Sequence, residues 1–219
     1  MAKGKVRVLL DRAGRTYSDE GGVSLADKPA PLYRLLVLSM LASAPVQSHL
    51  AMATSRELVR SGYGTPAKVA AADWQELVDA LGRAHYRRYD ESTATSLREG
   101  AELVRDRYGG DLRRMRDEAT RTENGTRVLD RDRLRELLTE FRRIGPTGAD
   151  IFCREAQLVW PGLRPYFDRK ALDGARRVGL PTDPERLASQ VDDPEDYARL
   201  AAALVRVTLD REVAEDVTA

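Results

Sequence analysis

The chain has a single cysteine, Cys153, in 219 residues. One thiol excludes an internal disulfide, a four-thiolate zinc site and an iron–sulfur cluster held by this sequence. Histidine is almost as scarce. His49 and His85 are the two, and neither has a cysteine or carboxylate neighbour at ligand spacing, so no metal and no other cofactor is expected. Long apolar runs are also missing: the longest, Leu35–Ala42, is broken by Ser39 and falls far short of the ~20 residues that cross a bilayer. The first residues begin basic, but their apolar run stops at Asp11 with no small-residue cleavage site, so no secretory signal is read there. These absences point to a reduced, cytoplasmic setting without a membrane partner. Lysine is rare too, five against 31 arginines, a bias that genome composition explains as readily as function does.

What is present is balanced only in total. The chain carries 36 Lys+Arg and 35 Asp+Glu, a formal net charge of +1. Residues 180–219 hold 4 basic and 10 acidic residues, which leaves 32 against 25 in residues 1–179. A basic body with an acidic end is a weak pointer to a polyanion partner. Between Thr139 and Gly179 the count is eight basic to five acidic. With 42% hydrophobic and 32% charged residues the chain is neither disordered nor membrane-embedded.

Along the chain, Val6, Val8 and Leu10 alternate with basic residues, and Gly14, Gly21, Gly22, Pro29 and Pro31 mark an irregular arm. From residue 32 nearly everything reads as helix, and the fold class is all-α. Leu32 to Leu41 make a helix apolar on most of its circumference, as a buried central helix is. Thr65 and Asp73 are N-caps, and Asp90–Tyr108 is a long amphipathic helix ended by Gly109-Gly110. Thr120–Arg127 has turn chemistry without an apolar anchor and reads as a surface excursion. Further helices are expected at 130–142, 146–159, 168–177, 184–190 and 194–211. The length fits one large domain or two interlocked lobes. The division expected is an N-terminal arm, 1–31, packing with a C-terminal lobe, 159–219, and a helical barrel over 32–158.

Two short segments carry the chemistry. Residues 137–152 read as helix, tight turn at Ile144-Gly145-Pro146-Thr147-Gly148, and helix. Glycines there let the backbone approach a ligand, and the new helix opens with unpaired N–H groups at the positive end of its dipole. Such a turn can seat a phosphate without reading sequence; it can equally be a plain αα-turn. Arg142, Arg143 and Arg154 nearby favour phosphate contact. The second segment, Gly162-Leu-Arg-Pro-Tyr-Phe-Asp168, delivers an aspartate to a helix start, where Asp168 is also a good N-cap.

A helix–hairpin–helix followed some twenty residues later by a Gly/Pro-rich loop ending in aspartate resembles the endonuclease III-like DNA glycosylase superfamily, the helix–hairpin–helix-GPD group. The resemblance spans most of residues 32–180. Leu35–Ala44 is similar to the family's early core helix, with Ser43-Ala44-Pro45 where the family reads Ser-Ala-Gln. Leu81-Gly82-Arg83-Ala84-His85-Tyr86 resembles the segment before its long barrel helix, and Asp168 to Gly179 keeps the family's spacing. The departures are Thr147 where bifunctional members have lysine, Pro45 for the base-pair-probing glutamine with Gln47 two residues on, no four-cysteine loop, and an inserted Thr120–Arg127.

The resemblance implies a two-lobed helical fold and a monomeric, cytoplasmic, nucleoid-associated protein of base-excision repair that binds double-stranded DNA. It implies a monofunctional N-glycosylase, since without the hairpin lysine no Schiff base forms with the sugar there. Asp168 is then the carboxylate that stabilises the oxocarbenium-like state and orients water. Arg143, Ile144, Gly145, Pro146, Thr147 and Gly148, with Lys170, hold the DNA backbone, and Gln47, Tyr86 and Trp160 line the base pocket or form the wedge. Tyr89 and Tyr166 are further stacking candidates, although aromatics at helix ends more often pack a core. Cys153 reads as a small core residue. The alternatives are a helix–hairpin–helix DNA-binding protein without turnover and a helical protein–protein adaptor.

Overall fold

In the computed structural model, which describes residues 2–218, the chain is all-α apart from one small hairpin. It forms two compact units, one of Ser18–Phe152 and one of the segments on either side of it.

The chain opens with α1, Ala2–Ala13, where an alternation of apolar and basic residues was read. The alternation of Val6, Val8 and Leu10 competes with a helical period through Val6, Leu9 and Ala13, and the helical period wins. Leu9 is fully buried while Val8 stands 37% exposed. A short turn of helix, α2 (Tyr17–Glu20), follows.

The Ser18–Phe152 unit is organised on α3 (Pro29–Ser43). Leu32, Tyr33, Leu35, Leu36, Leu38 and Leu41 are all buried, so this helix shows no solvent face and acts as the axis of the unit. The helix α4 (Ser48–Arg60) packs on it. Thr65 caps α5 (Pro66–Ala71) by accepting from Lys68 N–H, and Asp73 caps α6 (Trp74–Arg83) by accepting from Gln75 N–H at 2.7 Å. Both α5 and α6 pack on α7 (Asp90–Tyr108), which ends in left-handed Gly109. Next comes α8 (Arg113–Glu118).

The expected surface excursion is a two-stranded antiparallel hairpin, β1 (Thr120–Glu123) and β2 (Thr126–Leu129). Asn124 and Gly125, both at positive φ, make the two-residue turn whose twist matches the strands. That dipeptide was the sequence signal for the strands. The unit closes with α9 (Arg131–Thr139), capped by Asp130, and the first part of α10 (Pro146–Ala156).

In the flanking unit a short 3-10 turn at Pro161–Leu163 leads to α11 (Arg169–Arg177), then α12 (Pro184–Ala188), α13 (Asp196–Leu209) and α14 (Arg211–Thr218). The single helix expected over 194–211 therefore ends at Asp210, whose backbone is extended and whose Oδ1 accepts from Glu212 N–H at 2.9 Å. The acidic end is not a loose tail. Leu200, Ala201, Leu204 and Val207 of α13 are core residues, and α1 packs against both α13 and α14. Some of its charge is answered at the surface, with Lys3 on Asp192 at 2.9 Å and Arg12 on Asp216 at 3.7 Å, exposed pairs of small energetic weight.

Gly174 sets the approach of α11 to α13. A Cβ at that position would lie 2.0 Å from the carbonyl oxygen of Leu204, and backbone cannot swing aside as a side chain can. We expect Gly174→Ala to cost about 3 kcal/mol through overpacking, read as a fall of roughly 6–12 °C in melting temperature. Tyr33 yields the opposite expectation. Its hydroxyl is buried with no hydrogen-bond partner among the described residues, and burial pushes its phenol well above 10. The folded state therefore holds this proton more tightly than the unfolded chain. Stability from that source is present below the unfolded value of about 10 and is lost as pH rises above it. Tyr33→Phe should be neutral or stabilising at pH 7, and should fall less steeply above pH 10 in denaturant titrations.

Candidate nucleic-acid interface and carboxylate site

The hairpin is anchored from below. Leu134, Leu137 and Leu138 on α9, then Phe141 and Ile144 in the turn, are all buried. The chain reverses through Ile144 N–H donating to Phe141 O at 2.9 Å, and Ala149 N–H donating to Gly145 O at 3.0 Å. Pro146 opens α10, a position where its missing N–H costs nothing. Arg135 Nε donates to Asp150 Oδ1 at 2.9 Å and staples the two helices.

The tip is Gly145, Pro146 and Thr147, all exposed. A Cβ on Gly145 would meet no atom within 4 Å, so its face is open to a ligand. Gly148 is different: a side chain there would press on Ile144 and Ser43 at 3.1 and 3.2 Å, so it serves packing. Arg143 sits at φ +66°, its Nη1 donating to Ser92 Oγ at 2.6 Å and its guanidinium lying over the Tyr89 ring at 5.3 Å. Arg142 is exposed and pairs with Glu99 at 3.1 Å.

The other candidates of this unit lie apart from that tip in character. Gln47 stands exposed at the N-cap position of α4 and makes no capping bond with its side chain. Tyr86 is only 2% exposed; burial pushes its phenol up, against the pull of the Arg143 charge. A ring so enclosed is a core residue and offers no face on which a base could stack. Trp160, in the flanking unit, is 1% exposed and is likewise core.

Asp168, in the same flanking unit, is delivered by a clipped loop. Gln157 Nε2 donates to Tyr166 O at 3.0 Å while its Oε1 accepts from Tyr166 N–H at 2.9 Å. Arg164 donates to the carbonyls of Gln157 and Leu158 at 2.7 and 2.6 Å. The loop between α10 and α11 is thus tied to the helix it leaves. Asp168 then caps α11, its Oδ1 accepting from Ala171 N–H at 2.9 Å.

Its second oxygen accepts from Arg154 Nη1, and the two side chains are 3% and 4% exposed. Arg154, expected at a phosphate, is therefore buried against the carboxylate. Desolvation alone would lower a guanidinium; the charge of Asp168, followed by Glu155 and Tyr17, outweighs it and holds Arg154 above its ordinary value. Arg154 also lies over the Tyr17 ring at 5.5 Å, as Arg206 does at 5.7 Å, and the fully buried Glu155 accepts from Tyr17 N–H at 3.1 Å. Arg154 and Asp168 form the buried ion pair, with Glu155 buried beside them and the half-buried Arg206 reaching the Tyr17 ring from the edge while donating to the Ala13 carbonyl at 2.6 Å. Sequence reading missed Tyr17, Glu155, Gln157 and Arg206. The available signal was Arg154-Glu155-Ala156-Gln157, a polar run set between Phe152-Cys153 and Leu158 to Trp160. Lys170 is exposed on α11. Among the described residues no group of three or more His, Cys, Asp or Glu could hold a metal ion.

Breaking this pair from one side strands a charge. Arg154→Leu should destabilise the protein by about 3–5 kcal/mol, whereas Arg154→Leu with Asp168→Asn should recover most of that loss, because asparagine still caps α11 and no unpaired charge remains. Denaturant titration of both variants checks it.

No protein-family model and no curated protein matches this chain. Two solved structures align with it over 93% of its length and 84% of theirs. One is a trapped endonuclease III–DNA covalent intermediate in an estranged-adenine complex, 17% identical with a TM-score of 0.48; the other is a non-covalent endonuclease III–DNA complex, 16% identical with a TM-score of 0.49.

Proposed function

We propose that this chain is a DNA-binding protein of base-excision repair, which grips the phosphate backbone of double-stranded DNA at the 143–148 turn and hydrolyses the glycosidic bond of a damaged or mismatched base. The observation that carries the binding half is the open tip. The N–H groups of exposed Gly145 and Thr147, flanking Pro146 at the start of an 11-residue helix and close in sequence to Arg143, are what a phosphate needs: backbone donors, a helix dipole and room to approach. No base need be read for such a grip.

The chemical half rests on Asp168 and the motif that delivers it. A carboxylate beside the anomeric carbon stabilises the positive charge that develops as the bond breaks, and orients water. Thr147 has no amine, so the product is a free base and an unbroken strand. With its side chain 3% exposed, Asp168 can reach a sugar only when bound DNA uncovers it.

That same enclosure favours a second reading, a scaffold that binds without turnover. Both oxygens of Asp168 are engaged, by Ala171 N–H and by Arg154, as in a purely structural cap. Duplexes carrying deaminated, alkylated, oxidised or mismatched bases separate the two. The first reading expects base release from an intact strand, falling by about 10²–10⁴-fold in Asp168→Asn. The second expects salt-sensitive binding with no base released. Absence of duplex binding even at low salt would contradict both and leave the adaptor.

A further inference from the structure

We propose that Tyr89 is the positioning residue for Arg143, and that the 85–89 loop and the hairpin turn thereby form one surface for the DNA phosphate backbone. This rests on the reading above and deepens it.

Arg143 occupies left-handed backbone, φ +66°, a conformation that is costly for a residue with a Cβ and free for glycine. Strain of this kind persists where surrounding contacts over-determine it, and it gathers at functional sites. The contacts are identifiable. The Arg143 guanidinium lies 5.3 Å from the Tyr89 ring centre, and one of its nitrogens donates to Ser92 Oγ in the first turn of α7. Four of the five guanidinium N–H groups are left for an acceptor.

The partner loop has the same signature. His85 is also left-handed, φ +63°, and it opens a segment containing exposed Arg87 and Arg88. Arg88 lies over the same Tyr89 ring, again at 5.3 Å. Neither Arg87, Arg88 nor Arg143 has a carboxylate within ion-pair distance among the described residues. Other arginines of this unit divide: Arg142 pairs with Glu99, Arg83 with Glu57 and Arg121 with Asp130, while Arg34 and Arg56 donate to backbone carbonyls. Asp90, the nearest acid in sequence, turns an oxygen to Glu91 N–H. Two guanidinium groups each 5.3 Å from one ring centre are close enough to repel each other, and an anion bound near both lowers that repulsion. A chain of phosphodiesters supplies such anions in series.

The test is equilibrium binding of a labelled duplex as a function of salt, with thermal melting measured on the same samples. Tyr89→Phe keeps a ring for both cations and should bind as the native protein does. Tyr89→Leu should lose roughly threefold to tenfold in affinity, and its log K against log salt slope should become shallower by about one phosphate contact. Arg143→Gly should melt higher, since the turn now has the residue its backbone favours, yet bind more weakly with the same shallower slope. Opposite signs for stability and binding are what a merely structural arginine would not produce. Native affinity and slope in Tyr89→Leu at unchanged melting temperature would overturn the inference while leaving the DNA reading intact. If Tyr89→Leu melts lower, Arg143→Gly decides alone, and native binding in it overturns the inference. A native protein that binds no duplex at low salt removes the reading and this inference together.

Discussion

An arginine and an aspartate that have both left water persist only together, because each alone would be an uncompensated charge in a low-dielectric interior. Arg154 and Asp168 are such a pair, and the flanking unit is arranged around it. Arg154 belongs to α10, Asp168 caps α11, and the loop between them is held closed by Gln157 and Arg164. From the cap, α11 runs onto α13 at Gly174, and α1 lies on α13 in turn. Tyr17 N–H and Glu155 tie the end of the N-terminal segment into the same charged cluster. The pair and the cap thus set the start of α11, and the apolar core of Leu9, Ala171, Ala175, Leu200 and Leu204 holds the helices of the unit together.

The two candidate elements solve opposite problems. The hairpin tip places backbone groups in the open and keeps its apolar anchors, Phe141 and Ile144, beneath. An anion docking there would meet exposed residues without rearrangement. The carboxylate is instead enclosed, with both oxygens occupied. If chemistry occurs at Asp168, uncovering it is part of the reaction's energy, and that requirement would restrict activity to DNA that is already bound. The left-handed Arg143 belongs to the open element and Arg154 to the closed one; two arginines eleven positions apart thereby have unrelated roles that their residue type could not distinguish.

Much of this was legible in the sequence where local chemistry decides structure. Caps at Thr65, Asp73 and Asp168 accept the expected backbone N–H bonds, and α7 runs from Asp90 to Tyr108 because Gly109 supplies the left-handed residue that ends it. The all-apolar run of α3 marked the central helix. Legibility failed where two local patterns competed or where a partner was distant. In α1 a period of two through Val6, Val8 and Leu10 and a period near 3.6 through Val6, Leu9 and Ala13 share Val6, and packing on α13 chose between them. The turn at Asn124-Gly125 was legible, but not the strands that flank it, because they bury almost nothing. Arg154 was misplaced because its partner is 14 residues away, across a Gly/Pro-rich loop. Nothing in an arginine's immediate neighbours says whether it faces a phosphate or a buried carboxylate.

On the proposed function, the open turn, and not the enclosed carboxylate, is where this protein would first meet DNA. Amide hydrogen exchange of the native protein, with and without an undamaged duplex, tests it most directly. The account predicts slowed exchange at Arg143 to Ala149 and in the 85–89 loop, with the amides of α11 around Asp168 unchanged. Protection confined to α11, with the turn unaltered, would contradict it.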